Sequence, residues 1–260
     1  MPSALGWLKL PEISQMQDLD NPSNIHILRR IIQRKPFLKK TYIRFYQDLL
    51  SRVQDAPSDG LLVELGSGPG FLKSMASDVV TSDVLPYEGI DRVFSALDMP
   101  FSDCSVSAFM MIDVLHHIKD SRQFFREMQR CLKPGGKVVM IEPANTPWSS
   151  FIYRNFHHEP FNIKGGWGFE DGGPLSGANM AIPWIVFCRD HHVFAKEFPD
   201  FRICSVKYHT PITYLISGGV SMRQILPSYT YPMIQFIEWS LSPVIHLVGM
   251  FMTIELENII

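Results

Sequence analysis

The segment Val63-Glu64-Leu65-Gly66-Ser67-Gly68-Pro69-Gly70-Phe71 limits the fold of this chain more than any other: an apolar run ends in an acid and then turns through three glycines. Glycines allow left-handed turns and close approach of a backbone to a ligand, and a helix start that follows offers unpaired N–H groups. A strand, a glycine turn and a helix make the opening unit of an open parallel sheet. The alternation continues, with strands read at 61–65, 79–82, 92–94, 106–112 and 136–141 and helices over 70–77 and 121–131. Two later runs, 201–209 and 250–257, complete the expected fold: α/β, a Rossmann-like, seven-stranded, mostly parallel sheet with helices on both faces. Asp83 closes the second strand, where a carboxylate can accept both hydroxyls of a ribose bound across the loop. A nicotinamide or flavin fingerprint would need glycine where this chain has Phe71, which weakens an oxidoreductase reading.

The flanks are of other kinds. Apolar residues from Ile25 to Leu50 recur at helical spacing, and Pro36 divides them into two helices that carry Arg29, Arg30, Arg34, Lys35, Lys39, Lys40 and Arg44. A solvated basic face is the first reading of that set, and an anionic surface the second. Residues 211–248 form a strongly apolar insertion whose only charged residues are Arg223 and Glu238. Steps of three and four from Ile234 to Val248 predict a helix over 231–248 that Pro243 kinks. Such a run is buried in a cap, in a dimer contact or at a membrane surface. It does not read as a membrane span, because Gln235, Glu238, Pro243 and His246 interrupt it.

At 46% hydrophobic over 260 residues the chain can close one large core without disulfides or metals. Its net charge of −2 gives no general attraction to polyphosphate, so no nucleic-acid partner is expected. Cys104, Cys131, Cys188 and Cys204 form no CxxC pair and read as reduced thiols. With no secretory pattern over 1–15, a cytoplasmic location is expected.

In their order and spacing, the E-L-G-S-G-P-G loop, Asp83, Met99-Pro100-Phe101-Ser102-Asp103, Asp113-Val114-Leu115-His116-His117-Ile118 and Leu132-Lys133-Pro134-Gly135-Gly136 resemble the class I S-adenosylmethionine-dependent methyltransferases. The resemblance covers 61–142, and the segments F-H-H-E-P-F-N, P-L-S-G-A-N and L-I-S-G-G-V-S are similar to a bacterial branch of that family. It implies a transferase that uses S-adenosyl-L-methionine and releases S-adenosyl-L-homocysteine. It also implies one methyltransferase domain over 1–260, made of an N-terminal helical lead (1–60), a cofactor-binding core (61–142), an acceptor-site insertion (143–183) and the apolar insertion (211–248). The N-terminal helices and the two insertions would form a lid. Position by position, the methionine end of the cofactor falls on the backbone of Gly66, Ser67 and Gly68, in a loop that Gly70 completes. Glu64 orients that loop and the cofactor's amino group, Asp83 holds the ribose, and Val84 packs on the adenine. Ala96 gives its N–H to the same ring. Ser95 stands where many relatives have an aspartate on the adenine amino group, and a hydroxyl can accept that bond without a charge. Asp113 is the residue expected nearest the sulfonium.

Methyl transfer from a sulfonium is an in-line displacement, so alignment comes first and a base is needed only if the acceptor carries a proton. The candidates for that base are His117, beside His116, and His157 and His158. No metal site is expected, since the adjacent residues of His157-His158-Glu159 seldom point to one centre without partners elsewhere. The 143–183 link, with Trp148, Tyr153 and Trp167, is long enough to build the pocket of a small, amphiphilic or lipid-like acceptor, and peripheral membrane contact would suit such a molecule. The rival reading is a non-catalytic module of the same fold that binds a protein or a membrane surface. Ser95 favours it; the intact glycine loop with Glu64 and Asp83 weighs against it.

Overall fold

The computed structural model describes residues 6–14, 16, 18, 20–170, 172–173 and 176–260. The expected lack of a secretory pattern over 1–15 falls partly outside these, as do Pro174 and Leu175 of the P-L-S-G-A-N segment.

Seven strands form one sheet: β1 Leu61–Glu64, β2 Val80–Asp83, β3 Arg92–Val93, β4 Val106–Ile112, β5 Leu132–Pro143, β6 Phe201–His209 and β7 Phe251–Asn258. Their order is β3-β2-β1-β4-β5-β7-β6. The pairs among β1 to β5 are parallel, and β7 runs antiparallel to both β5 and β6. β4 is buried along nearly its whole length, as a central parallel strand covered on both faces must be. One face carries Phe124, Phe125, Phe187, Phe194, Phe198 and Phe201, contributed largely by the 121–131 helix and the chain from 182 to 198. The Ser121–Cys131 helix starts where Asp120 accepts a hydrogen bond from the Gln123 N–H at 3.0 Å. The other face is covered by Phe45, Tyr46, Leu49 and Val53 of the N-terminal lead.

That second face departs from expectation. No α-helix spans 70–77; only a 3-10 turn, Leu72–Ser74, follows the glycines. The reason is steric. The Tyr46 hydroxyl occupies the space that a Cβ on Gly70 would need, and it accepts a hydrogen bond from the Phe71 N–H at 3.1 Å. The helix Pro36–Arg52 thus fills the layer where the helix after β1 would lie, and the link from β2 to β3 carries no helix either.

Pro36 divides the lead as its fixed φ requires, into Asn24–Arg34 and Pro36–Arg52. The basic residues on and between these helices are only partly a solvated face. Lys35 is buried, its Nζ donates to the carbonyls of Gly219 and Met222, and burial lowers its pKa to about 8. Lys40 lies over the Tyr231 ring, and Arg44 Nη1 is 3.4 Å from Glu238 Oε2. The apolar insertion therefore packs on the N-terminal helices. Its expected helix is broken around Pro243, as the ring of that residue requires: Tyr231–Ser240, then a 3-10 turn Ser242–Val244, then Ile245–Val248. No described helix is long and apolar enough to cross a membrane.

Phe125 is fully buried and its ring meets Phe187, Phe194 and Phe198 within 5.8 Å. Phe125→Ala should cost about 3–5 kcal/mol, the range for deleting a large core side chain. Denaturant unfolding measures it, and a loss below about 1 kcal/mol would show that this layer is not the packed core described.

Candidate active site

Four acids end four adjacent strands on one edge of the sheet: Asp83 closes β2, Glu64 closes β1, Asp113 follows β4, and Glu142 lies at the end of β5. Ligands of open parallel sheets bind beyond this carboxyl edge. The glycine turn rests on the first two acids. Gly66 and Gly68 have φ of 60° and 47°, a left-handed conformation that favours glycine, and a Cβ on Gly66 would strike Val114 Cγ2 at 2.5 Å. The Gly68 N–H donates to Asp83 Oδ2 at 2.9 Å, and the Leu85 N–H to Asp83 Oδ1 at 3.0 Å. A carboxylate has about four acceptor positions, so lone pairs remain for a ligand. Ser67 Oγ donates to Glu64 Oε2 at 2.8 Å, and Ser82 Oγ to the Glu64 carbonyl at 2.8 Å.

Burial is the main influence on these groups. It pushes Glu64 up to about 8, with Asp83 adding to the shift and the Ser67 and Tyr46 hydroxyls opposing it. Asp83 is raised by burial and held back by the N–H groups of Leu85 and Gly68. Beside the turn lies a cavity of about 250 Å³ lined by Glu64, Ser67, Gly70, Tyr87 and, unexpectedly, Arg29 from the N-terminal helix. Arg29 Nε is buried without a hydrogen-bond partner. Val84, expected against the adenine, is 42% exposed, while Ser95 is exposed and Ala96 half-buried. Ser95 Oγ accepts from the Leu97 N–H at 3.2 Å, which leaves its own proton free to donate.

Past β4 the chain turns sharply. Asp113 takes φ 57°, a conformation more open to aspartate than to most residues, and its N–H bonds the Ile141 carbonyl at 2.9 Å. Glu142, fully buried, holds the turn by accepting from the N–H groups of Val114 at 2.8 Å and Leu115 at 2.7 Å, and it meets His116 Nδ1 at 2.8 Å. Asp113 is pushed up to about 7 by burial, with the charges of Glu142 and Glu159 adding and that of His116 opposing. Burial alone would lower His116, yet Glu142 and Glu159 outweigh it and push the imidazole up to about 10. His117 is lowered to about 4 by burial and by His116, and His157 to about 4 chiefly by burial.

All three predicted acceptor-side histidines are brought together around Glu159, within 4 Å of its carboxylate, and His116 joins them. Sequence reasoning missed Glu142, Tyr42, Tyr214 and Arg29 as site residues. Glu142 had a signal, an acid ending the fifth strand; the others come from distant segments and had none. Tyr153 and Tyr214 lie within electrostatic reach of Asp113 and Glu159, and Tyr42 within reach of Asp113 and Glu64. Trp167, by contrast, is a core anchor: buried, donating to Asp190 Oδ2 at 2.9 Å, with Arg122 over its ring.

A glycine turn and a row of acids on this sheet invite comparison with known proteins. Residues 63–140 match the family model described as a methyltransferase domain. Among curated proteins, the demethylmenaquinone methyltransferase of Symbiobacterium thermophilum is 30% identical over 110 residues, 42% of this chain and 42% of that one. The chloroplastic tocopherol O-methyltransferase of Arabidopsis thaliana is 26% identical over 87 residues, 30% of this chain and 25% of that one. The matches thus span less than half the length of these relatives. Among solved structures, the geranyl diphosphate C-methyltransferase of Streptomyces coelicolor, in complex with Mg2+, geranyl diphosphate and S-adenosyl-L-homocysteine, superposes with a TM-score of 0.54 at 15% identity, covering 96% of this chain and 89% of that one. That likeness is one of fold.

The raised pKa of Glu64 has a stability consequence. Its carboxyl is neutral in the folded chain up to about 8 but ionises near its ordinary 4.5 when unfolded. Its contribution is therefore complete below 4.5 and is lost as pH rises through about 8. Glu64→Gln should be stabilised relative to wild type above about pH 8, with the difference shrinking toward pH 4.5. Parallel denaturant titrations at about pH 5 and about pH 8.5 test this, and a difference independent of pH would contradict it.

Proposed function

We propose that the chain is an S-adenosylmethionine-dependent methyltransferase acting by in-line transfer on a small, amphiphilic acceptor. The observation that carries this reading is the Asp83 carboxylate tied to the Gly68 N–H: it makes the ribose acceptors and the glycine turn one unit beside the Glu64 cavity. The residues fit the cofactor. Glu64 and the backbone of Gly66, Ser67 and Gly68 would take the methionine end, Gly70 keeps the turn close to Tyr46, and Arg29 on the cavity wall would place a cation near the carboxylate. Asp83 would hold the ribose, and Val84, Ser95 and Ala96 the adenine. Bound there, the cofactor supplies an electrophilic methyl group on sulfur. Asp113 stands on the acceptor side with a pKa near neutrality, so it can accept a proton, and the neutral imidazoles of His117 and His157, with His158, stand behind it.

An amphiphilic acceptor is supported by the surface beside the site and by the names of the curated relatives, which refer to demethylmenaquinone and tocopherol. The Tyr231–Ser240 helix buries Ile234 and Glu238 but leaves Met233, Phe236 and Trp239 53%, 66% and 70% exposed. Val244 and Leu247 continue this apolar surface toward Trp148, Phe151 and Phe156 on the neighbouring Pro147–Phe156 helix. A contiguous patch of this kind marks an interaction surface. We infer peripheral contact with a membrane from which the acceptor is drawn, with the lid packing on the N-terminal helices at the same time.

Calorimetry should show binding of S-adenosyl-L-methionine and S-adenosyl-L-homocysteine and none of NAD. Asp83→Ala should lose about 1.5–3 kcal/mol of it, the range for hydrogen bonds to a charged group. Unchanged affinity in that variant removes Asp83 from the ribose site. Sedimentation with anionic vesicles should carry the protein down at low salt, less so at high salt, and Phe236→Ser/Trp239→Ser should abolish it. No sedimentation at low salt discards the membrane contact and leaves the methyltransferase reading standing.

A further inference from the structure

Glu159 faces four imidazoles. His116 Nε2 lies 3.6 Å and His157 Nδ1 3.9 Å from its Oε2, while His117 Nε2 lies 3.9 Å and His158 Nε2 3.6 Å from its Oε1. These separations exceed the roughly 2.7–3.2 Å of an N–H···O hydrogen bond. They lie close to the edge of a coordination polyhedron, since bonds of about 2.0–2.1 Å to one ion set neighbouring ligand atoms roughly 3.3–3.5 Å apart. The ligand atoms of His116, His117 and Glu159 all fall within 4.8 Å of one another.

The groups behind these ligands point the same way. His117 Nδ1 is 2.9 Å from the Gly177 carbonyl, which can only accept, so the proton sits on Nδ1 and Nε2 presents a lone pair. His116 Nδ1 is 2.8 Å from Glu142 Oε2, whose other oxygen is fixed by two backbone N–H groups. A carboxylate or carbonyl on the far nitrogen is how proteins orient metal-bound histidines and fix their tautomer. The sequence argument against a metal was that His157-His158-Glu159 lacks partners elsewhere; His116 and His117, on the turn after β4, are such partners.

We propose that His116 Nε2, His117 Nε2 and the Glu159 carboxylate bind one divalent transition-metal ion of the zinc type, with His157 and His158 at its open side. Two imidazoles and a carboxylate suit zinc, iron or cobalt better than magnesium or calcium, which take oxygen ligands. Three protein ligands leave a position for an exogenous oxygen, the pattern of catalytic rather than structural sites. Asp113 lies next to this site, its carboxylate within 4.8 Å of the ligand atoms of His116 and Glu142. The metal site rests on this geometry alone; that its open position receives an oxygen of the methyl acceptor rests on the proposed function.

Chelator-treated protein, without cofactor, is titrated with Co2+ and then Zn2+. One equivalent of Co2+ should give a visible d–d absorption that Zn2+ abolishes. Glu159→Gln and His117→Ala should each remove the one-equivalent uptake, and Glu142→Gln should weaken it about 10- to 100-fold. His191→Ala/His192→Ala, an exposed pair outside the cluster, should leave it unchanged. Circular dichroism of each variant separates lost ligands from lost fold, and Glu159→Gln and His117→Ala test the site even if Glu142→Gln fails to fold. Uptake that survives both ligand variants overturns the proposal. So does a folded wild type with no Co2+ band, which would leave His116 as an imidazolium between Glu142 and Glu159. Calorimetry with S-adenosyl-L-methionine on the same samples shows separately whether the methyltransferase reading fails.

Discussion

Burying three carboxylates, with a fourth half-buried beside them, along one edge of a sheet is the constraint on which the rest of this structure depends. A carboxylate taken out of water is costly unless donors meet it or it takes up a proton. Here each solution differs. Asp83 is met by backbone N–H groups, Glu142 by two N–H groups and an imidazole, and Glu64 by hydroxyls that do not offset its burial, so it keeps its proton to about 8. The donors come from the glycine turn and from the turn after β4, so the acids and the two turns specify one another.

The lead helix is the second determinant. In a sheet of this kind, helices after β1 and β2 would normally cover the face that Phe45, Tyr46 and Leu49 occupy here. Tyr46 takes the space beside Gly70 and bonds the Phe71 N–H, while Arg29 from the preceding helix lines the cavity next to Glu64. The N-terminal segment thus forms part of the wall of the cavity beside the glycine turn. Lys35 ties it to the apolar insertion through the carbonyls of Gly219 and Met222, so lid and cavity wall form one connected unit.

What was legible in the sequence follows from how local each signal is. The 121–131 helix and the 106–112 and 201–209 strands have their expected limits, because periodicity, an Asp120 cap and β-branched or aromatic content act over a few residues. The helix expected over 70–77 failed because its competitor, Tyr46, belongs to a separate helix well before Gly70 in the chain. The glycine turn with Glu64 forms a contiguous motif, so its left-handed conformation at Gly66 and Gly68 could be read from a short window. The acceptor side could be read only as separate histidines, because Glu142, Glu159, Tyr153 and Tyr214 meet through the sheet order β4-β5-β7 and the returning insertions, which no short window contains.

The two sides of the site answer different chemical needs. A nucleoside is held by directional hydrogen bonds, and the residues proposed for it sit on a strand edge with left-handed glycines that few other residues would suit. An acceptor for in-line transfer must instead be aligned at close range while water is kept out. On the proposed function, the tyrosines near Asp113 and the apolar surface from Phe236 to Trp148 would serve that purpose. The histidine and glutamate cluster places concentrated polarity beside Asp113, where, on the proposed function, one polar end of an amphiphile would be anchored.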